Sequence, residues 1–355
     1  MPDAGRTGRL VVVVTSPRVA PGLLSWQAWQ ALRSGPVLTG DAAHPQLPYL
    51  ADAGIAVTVC PRVAGDAELA AAVYAQADAG ATVIWLAAGT ADEGLMRAVG
   101  ALVARGPSVE LELLYGSYDL PGARLLDVVA VMDRLRGPDG CPWDAEQTTA
   151  SLAPYLLEEA YEAYQAIEDG DRAALRDELG DVLLQVAFHS RLAEELPDAE
   201  RWSVDDVATG LVDKLVRRHQ HVFADGEAPD SAAVQASWEQ IKAAERGRGS
   251  VTDGIAMSAP ALALAAKLQR RADRLGLPEE VFDPAGPGAP LWRAVTALRR
   301  DEVDPEAALR AVARAFRDRL AAIEAAIRAE GGDPAGLIAP EWAHRWARDP
   351  DGQEG

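Results

Sequence analysis

The sequence is poor in cysteine and has no long apolar run. Its two cysteines, Cys60 and Cys141, are far apart and belong to no CxxC or Cys/His motif, so neither a disulfide framework nor a structural zinc site is predicted. The apolar run at residues 10–14 is too short for the core of a signal peptide, and no stretch approaches the roughly 20 apolar residues of a membrane span. These absences predict a protein of the reducing cytoplasm without a membrane partner.

Positive charge is also scarce. The 355 residues include 54 Asp and Glu against 34 Lys and Arg, for a net charge of −20 at pH 7. This balance argues against non-specific binding to nucleic acid or to an anionic membrane, because either polyanion would be repelled. A phosphate ligand would need a cation between itself and this protein. Lysine is especially rare, occurring only at Lys214, Lys242 and Lys267.

Length and patterning predict a mainly α protein of three regions. Residues 1–120 alternate short β-branched runs, at 10–15, 55–60, 82–86 and 109–114, with helical segments, which predicts a small α/β domain with a mainly parallel sheet. From residue 121 onward nearly all periodic segments are helical. We divide this part into a helical domain over 121–248 and a helical C-terminal region over 249–355, where helices are predicted near 260–274 and 305–330.

Acidic residues in the helical domain follow a spacing that points to metal binding. Two predicted helices flank the turn at Gly170, and each carries an i, i+3 acidic pair: Glu159 with Glu162, and Glu178 with Asp181. The inner members are 8 residues from Gly170 and the outer members 11 residues. In an antiparallel hairpin the pairs would therefore lie at matching heights, roughly 12 and 16 Å from the turn.

Four carboxylates that converge in this way require a cation, because like charges close together repel. Oxygen ligands favour Mg²⁺, with Mn²⁺ as a substitute, over zinc. The alternative is that each acidic pair forms a solvated helix face, since the spacing alone is weak evidence. Apolar positions on both helices and a basic segment downstream favour the metal site.

The basic segment contains Lys214, Arg217 and Arg218 on one predicted helix. Such a cationic stripe near a carboxylate-bound metal would suit a polyphosphate, whose remaining oxygens Lys and Arg would neutralise. Trp238 and Lys242, spaced i, i+4, could supply a base-stacking surface and a further phosphate contact. The alternatives are ordinary surface charge paired with acids and a tryptophan of the core.

These residues fall in segments that resemble the MazG family of nucleoside triphosphate pyrophosphohydrolases. Between residues 125 and 246 the segments are RLRGPDGCPWDAEQT, YLLEEAYEAYQAI, LRDELGDVLLQVAFHSRLAEE, DKLVRRHQHVF and WEQIKAAER. The family's pattern of EExxE followed by ExxD is met with 15 intervening residues.

The resemblance implies an all-α bundle that a dimer completes. It also implies Mg²⁺-dependent cleavage of NTPs and dNTPs between the α- and β-phosphates, giving NMP and pyrophosphate, as in nucleotide-pool housecleaning. By the same resemblance the metal ligands are Glu159, Glu162, Glu178 and Asp181, with Glu159 also counted as catalytic. Glu158 is then the candidate for orienting or deprotonating the attacking water, or for a fifth ligand. The implied nucleotide contacts are Lys214, Arg217, Arg218, Trp238, Lys242 and Trp143. For Trp143 two roles stay open: it positions the base, or it closes the dimer interface.

Two departures from relatives of this kind shape the expectations for the ends of the chain. Residues 260–274 and 307–329 resemble helices that flank a second catalytic module, but 291–305 lacks its motif, so we expect a degenerate module without catalysis. The N-terminal region resembles the start of tetrapyrrole methylase-like domains, yet residues 15–22 lack the expected glycine-rich loop, so we expect no catalysis there either. Two alternatives to the hydrolase stay open: a nucleotide-sensing or scaffold protein without catalysis, and an S-adenosylmethionine-dependent methyltransferase.

Overall fold

The computed structural model describes residues 7–61, 65–105, 108–224, 230, 234, 250–277 and 284–347. The chain divides into two compact units, Met1–Lys214 and Leu215–Gly355. The first unit contains a parallel sheet and the helices that follow it, and the described part of the second is helical. The predicted class, mainly helical with a small parallel sheet at the N-terminus, is confirmed. Within the described ranges, no helix is both long and apolar enough to cross a membrane.

Five parallel strands form the sheet, in the order β3-β2-β4-β1-β5. β1 lies in the middle, where Leu10 pairs with Val83 of β4 on one side and Leu111 of β5 on the other. The sequence patterns located four of the five strands and missed β2, which has three residues. The strands are β1 (Gly8–Val14), β2 (Val37–Thr39), β3 (Val57–Val59), β4 (Thr82–Leu86) and β5 (Val109–Tyr115).

Helices cover both faces of the sheet, as its continuous apolar strands require. Leu10 and Val12 of β1 point to one face, where Trp85 and side chains of α3 and α4 pack against them. Val11 and Val13 point to the other face, against α1 and α2. The helices are α1 (Trp26–Leu32), α2 (Leu47–Asp52), α3 (Asp66–Asp78) and α4 (Glu93–Arg105), with a one-turn 3-10 helix at Gly89–Asp92.

Arg18 connects this α/β layer to the helical part of the first unit. It lies in the loop after β1, and its guanidinium donates to Asp119 at 2.6 Å and to Asp127 at 2.8 Å. Asp127 belongs to α5 (Leu125–Arg136), the first helix after the sheet. The Arg18 hydrogen bond lowers the pKa of Asp127, whereas that of Asp119 is lowered first by a hydrogen bond from Ser16 and then by Arg18. Both carboxylates therefore remain ionised and paired at neutral pH.

Within the described residues 108–224, five further helices follow α5. The longest two, α7 and α8, form a hairpin that packs on α5, with a core of Met132, Leu152 and Phe188. The helix that carries Lys214, Arg217 and Arg218 is α9, which ends at Arg218, and a separate helical turn begins after His219. The helices are α6 (Pro142–Glu146), α7 (Thr149–Asp169), α8 (Arg172–Ala193), α9 (Val204–Arg218) and α10 (Gln220–Phe223).

The second unit is held together by polar contacts as well as apolar packing. The amide of Gln269, which is 1% exposed, donates to the Trp292 carbonyl at 3.1 Å and accepts from Arg299 at 3.0 Å. Trp292 and Arg299 belong to α12, a helix that the sequence patterns did not indicate because Pro290 and nearby glycines resemble a loop. The helices are α11 (Ala261–Asp273), α12 (Ala289–Arg300), α13 (Pro305–Ala329) and α14 (Ala339–Ala347), with a 3-10 turn at Pro334–Gly336.

Candidate metal centre

Local sequence signals build the hairpin that carries the acidic residues. Thr148 and Ser151 form a reciprocal capping box at the start of α7. Gly170 ends the helix with a φ of 68°, a left-handed conformation that favours glycine. Asp171 then caps α8 by accepting from the backbone N–H groups of Ala173 and Ala174 at 2.9 and 3.0 Å. The two helices therefore run antiparallel, as the spacing about Gly170 predicts.

Three of the predicted ligands converge on this hairpin. Glu159, Glu178 and Asp181 each offer one carboxylate oxygen, and these oxygens lie within 4.8 Å of one another. Glu159 and Glu178 are half-buried and Asp181 is exposed. Glu162 lies beside this cluster, where its carboxyl shares a hydrogen bond with Glu178. Glu158 is near enough for its charge to act on Glu159.

The clustering disfavours the ionised state of the two half-buried acids. Removal from water raises the pKa of Glu159, and repulsion by Asp181, Glu162, Glu158 and Glu178 raises it further. Removal from water also raises the pKa of Glu178, followed by repulsion from Glu162 and Asp181. A bound cation would reverse this penalty by attracting every carboxylate of the cluster.

The donor set fits a hard divalent cation. Opposite oxygen ligands of an octahedral Mg²⁺ are about 4.2 Å apart. The carboxylate oxygens of Glu159, Glu178 and Asp181 lie within 4.8 Å of one another, so a small inward movement of these side chains would let all three bind one ion. Carboxylate oxygens without sulfur or imidazole suit Mg²⁺ or Mn²⁺ rather than zinc. Within the described ranges, no other set of three or more His, Cys, Asp or Glu side chains has this convergence.

Of the five predicted nucleotide contacts that follow the hairpin in sequence, three lie on α9 and two lie outside the described residues. Lys214, Arg217 and Arg218 all lie on the last turns of α9, where Lys214 and Arg218 are half-buried and Arg217 is exposed. Lys214 is the last residue of the first unit, and the two arginines belong to the second. Trp238 and Lys242 lie outside the described residues. The roles of all five stay predictions.

Trp143 lies in α6, the short helix that follows the Gly140 turn. Its ring meets the ring of Tyr155 on α7 edge-on, with centroids 6.3 Å apart. Tyr155 was not among the predicted site residues, although its position four residues before Glu159 could have marked it as a neighbour of the cluster.

Arg136 holds α6 in place and was also missed. Its guanidinium donates to the Glu195 carboxylate at 2.8 and 2.7 Å and to the backbone carbonyl of Asp144 in α6, and it lies over the Phe188 ring at 5.6 Å. The hydrogen bond from Arg136 lowers the pKa of Glu195. These contacts connect α5, α6 and α8, and therefore support the helix that carries Trp143.

The α/β layer has a cavity of about 500 Å³ at the carboxyl ends of β1, β2 and β4. His44 closes one side, with Nε2 on the Ala87 carbonyl at 3.1 Å and Nδ1 accepting from the Gln46 backbone at 3.2 Å. Both ring nitrogens are thus engaged within the fold. Residues 15–19, from the loop that lacks the glycine-rich motif, line this cavity, and the methyltransferase alternative stays a prediction.

Comparisons with known proteins point to one family. The family described as the MazG nucleotide pyrophosphohydrolase domain matches residues 147–223. A Streptomyces cacaoi protein, described as an uncharacterized 26.1 kDa protein, is 51% identical over 239 residues, covering 66% of this chain and 97% of that protein. A nucleoside triphosphate pyrophosphohydrolase of Mycolicibacterium smegmatis is 42% identical over 240 residues, 64% of this chain and 70% of that one. The nucleoside triphosphate pyrophosphohydrolase/pyrophosphatase MazG of Thermotoga maritima is 37% identical over 229 residues, 58% of this chain and 87% of that one.

Proposed function

The chain belongs to the MazG family of nucleoside triphosphate pyrophosphohydrolases, enzymes that hydrolyse phosphorus-containing anhydrides, and we propose that it cleaves NTPs and dNTPs between the α- and β-phosphates. The products are NMP and pyrophosphate, and the reaction requires Mg²⁺. The observation that carries this proposal is the convergence of Glu159, Glu178 and Asp181 on one hairpin. Because the chain carries a net charge of −20, a bound cation is needed to offset its repulsion of a polyphosphate.

In this mechanism the acidic residues have two tasks. Glu159, Glu162, Glu178 and Asp181 hold the metal through carboxylate oxygens. When held by these carboxylates, Mg²⁺ would supply Lewis-acid stabilisation of the phosphate charge. Glu158, beside Glu159 on the exposed side of α7, orients the attacking water and accepts its proton.

Basic and aromatic residues bind the rest of the nucleotide. Lys214, Arg217 and Arg218 donate to phosphate oxygens of the substrate, and Lys242 adds a further contact. Trp143 and Trp238 contact the base. The supporting observation is that three of these cations share one helix within a family domain that also contains every acidic residue of the site.

The assembly we propose is a homodimer that completes the helical bundle. The hairpin supports this, because large apolar side chains on α7 and α8 are exposed in the single chain, among them Leu157, Ile167 and Leu179 at 61, 58 and 53%. The helical C-terminal region over 249–355 acts as a degenerate module without catalysis. The enzyme works in the cytoplasm on the free nucleotide pool, with broad acceptance of bases.

The decisive assay incubates the purified chain with Mg²⁺ and a panel of NTPs and dNTPs and resolves pyrophosphate from orthophosphate. We expect pyrophosphate and NMP in equal amounts, and loss of turnover by at least 100-fold in Glu159→Gln and Asp181→Asn because each removes a ligand charge. Glu168→Gln is the matched control, since residue 168 is nine positions from Glu159 and therefore on the opposite side of α7.

Release of orthophosphate alone, or full activity in Glu159→Gln, would contradict the proposal. Tight binding of Mg·NTP without turnover would instead favour the nucleotide-sensing alternative. Calorimetry on the same preparations separates these outcomes.

A further inference from the structure

Tyr155 lies on the same face of α7 as the metal-binding acids. It precedes Glu159 by four residues and Glu162 by seven, so the three side chains form one stripe along the helix. Residues four apart on a helix have Cβ atoms about 5–6 Å from each other. Tyr155 therefore lies one turn beyond the carboxylates, on the side away from the Gly170 turn.

Tyr155 also belongs to an aromatic corner, which we define as the rings of Trp143 and Tyr155. Their planes meet at 74° with centroids 6.3 Å apart, so the two rings form perpendicular walls. Trp143 is 52% exposed and Tyr155 is 41% exposed. Aromatic rings that only fill a core are covered, as is Trp85 at 0%. The aromatic corner instead leaves ring surface open beside a charged site.

We propose that the aromatic corner stacks the base of the substrate and that Tyr155 is a specificity-determining residue, which selects nucleoside triphosphates over polyphosphates that lack a base. This inference rests on the proposed function, because it takes the carboxylate cluster as the place where the phosphates bind. A base on one wall of the corner would meet the other wall with its edge. The ribose would span the single helical turn between the corner and the metal.

The chemistry of the corner also sets which bases are accepted. Stacking on an aromatic face tolerates any base, because every base has a π-face. Purines bury more ring area than pyrimidines and should bind somewhat more tightly. Neither ring carries a charged group that would distinguish the hydrogen-bonding edges of the bases. The aromatic corner therefore predicts broad base acceptance combined with weaker binding of inorganic polyphosphate.

The test measures dissociation constants by calorimetry on the full chain in excess Mg²⁺. The probes are the α,β-methylene analogues of GTP and CTP, which resist cleavage at the proposed bond, and inorganic tripolyphosphate. Tyr155→Leu, which keeps apolar bulk without a π-face, should weaken binding of both nucleotide analogues by about 5- to 100-fold. It should leave the affinity for tripolyphosphate unchanged within a factor of two. Tyr155→Phe should bind all probes like the parent protein.

Tyr164→Leu is the matched control. Tyr164 is 39% exposed and lies nine residues from Tyr155, on the opposite side of α7, so this substitution should alter no affinity. Equal weakening of nucleotide and tripolyphosphate in Tyr155→Leu, or no weakening of either, would overturn the inference. The unchanged tripolyphosphate affinity also reports that the variant is folded.

The outcome is separable from that of the proposed function. If the parent protein binds the analogues through Tyr155 but turns over no NTP, the catalytic proposal fails and the aromatic corner stands. If it hydrolyses NTPs while Tyr155→Leu binds and turns them over unchanged, the hydrolase stands and the aromatic corner is refuted.

Discussion

Replacing Arg136 with methionine should weaken the first unit through two losses that the structure identifies. The Arg136 side chain is 6% exposed and makes two charged hydrogen bonds to Glu195, whose side chain is 40% exposed. After discounting for solvent around Glu195, this pair contributes about 1–2 kcal/mol. Leaving the Asp144 carbonyl without its donor adds about 1–2 kcal/mol. Methionine retains most of the apolar stem, so packing on Phe188 is largely kept.

The sum predicts that Arg136→Met lowers the free energy of unfolding by about 2–4 kcal/mol and the melting temperature by about 5–15 °C. Circular dichroism melts and urea titrations measure both quantities. Arg176→Met is the matched control, because its pair with Asp177 has side-chain exposures of 80 and 66% and should change stability by less than about 0.5 kcal/mol. Equal effects of the two substitutions would refute the reasoning.

The dependence on pH provides a second check of the same pair. The hydrogen bond from Arg136 lowers the pKa of Glu195 in the folded protein below its unfolded value of about 4.3. Its stabilisation is therefore fully present above that unfolded value and is lost as the pH falls through the lower folded pKa. The stability gap between the parent and Arg136→Met should narrow only below about pH 4.3. A gap that stayed constant through that range would show that the charge of Glu195 is not involved.

Three further substitutions test the metal centre and two glycine turns of the first unit. The pKa of Glu159 is raised in the fold, so the ionised form of this side chain destabilises the folded protein at neutral pH. Glu159→Gln should therefore raise the melting temperature of metal-free protein, and this gain should disappear below the ordinary pKa of glutamate. Mg²⁺ should raise the melting temperature of the parent protein but not that of this variant. A parent protein that Mg²⁺ fails to stabilise would count against the site. Gly140→Ala should cost more stability than Gly170→Ala in parallel melts, because a Cβ at 140 would lie 2.0 Å from the Leu135 carbonyl oxygen, whereas one at 170 meets nothing within 4 Å and costs only its left-handed φ, about 1 kcal/mol. The reverse order would contradict the packing at Gly140.

Patterns that are local in sequence carried much of the prediction. Helical periodicity and the glycine at 170 predicted a hairpin with acidic pairs at matching heights, and the structure brings Glu159, Glu178 and Asp181 together there. Continuous apolar runs likewise located four of the five strands. Each of these signals lies within a window of one or two elements, where backbone geometry alone relates residue spacing to position.

Contacts between distant residues were decided by tertiary structure. β2 has only three residues, too few to show a period, and it exists as a strand because β3 and β4 pair with it on either side. Arg136 reaches Glu195 across 59 positions, and Arg18 reaches Asp127 across 109. Trp143 of α6 and Tyr155 of α7 meet through the tertiary packing of the two helices, and Arg136 of α5 donates to the backbone of α6. By itself the sequence determined which residues share a helix face, because that depends on backbone periodicity. Which faces meet depends on how all elements bury their apolar surface together, and only the folded chain decides that.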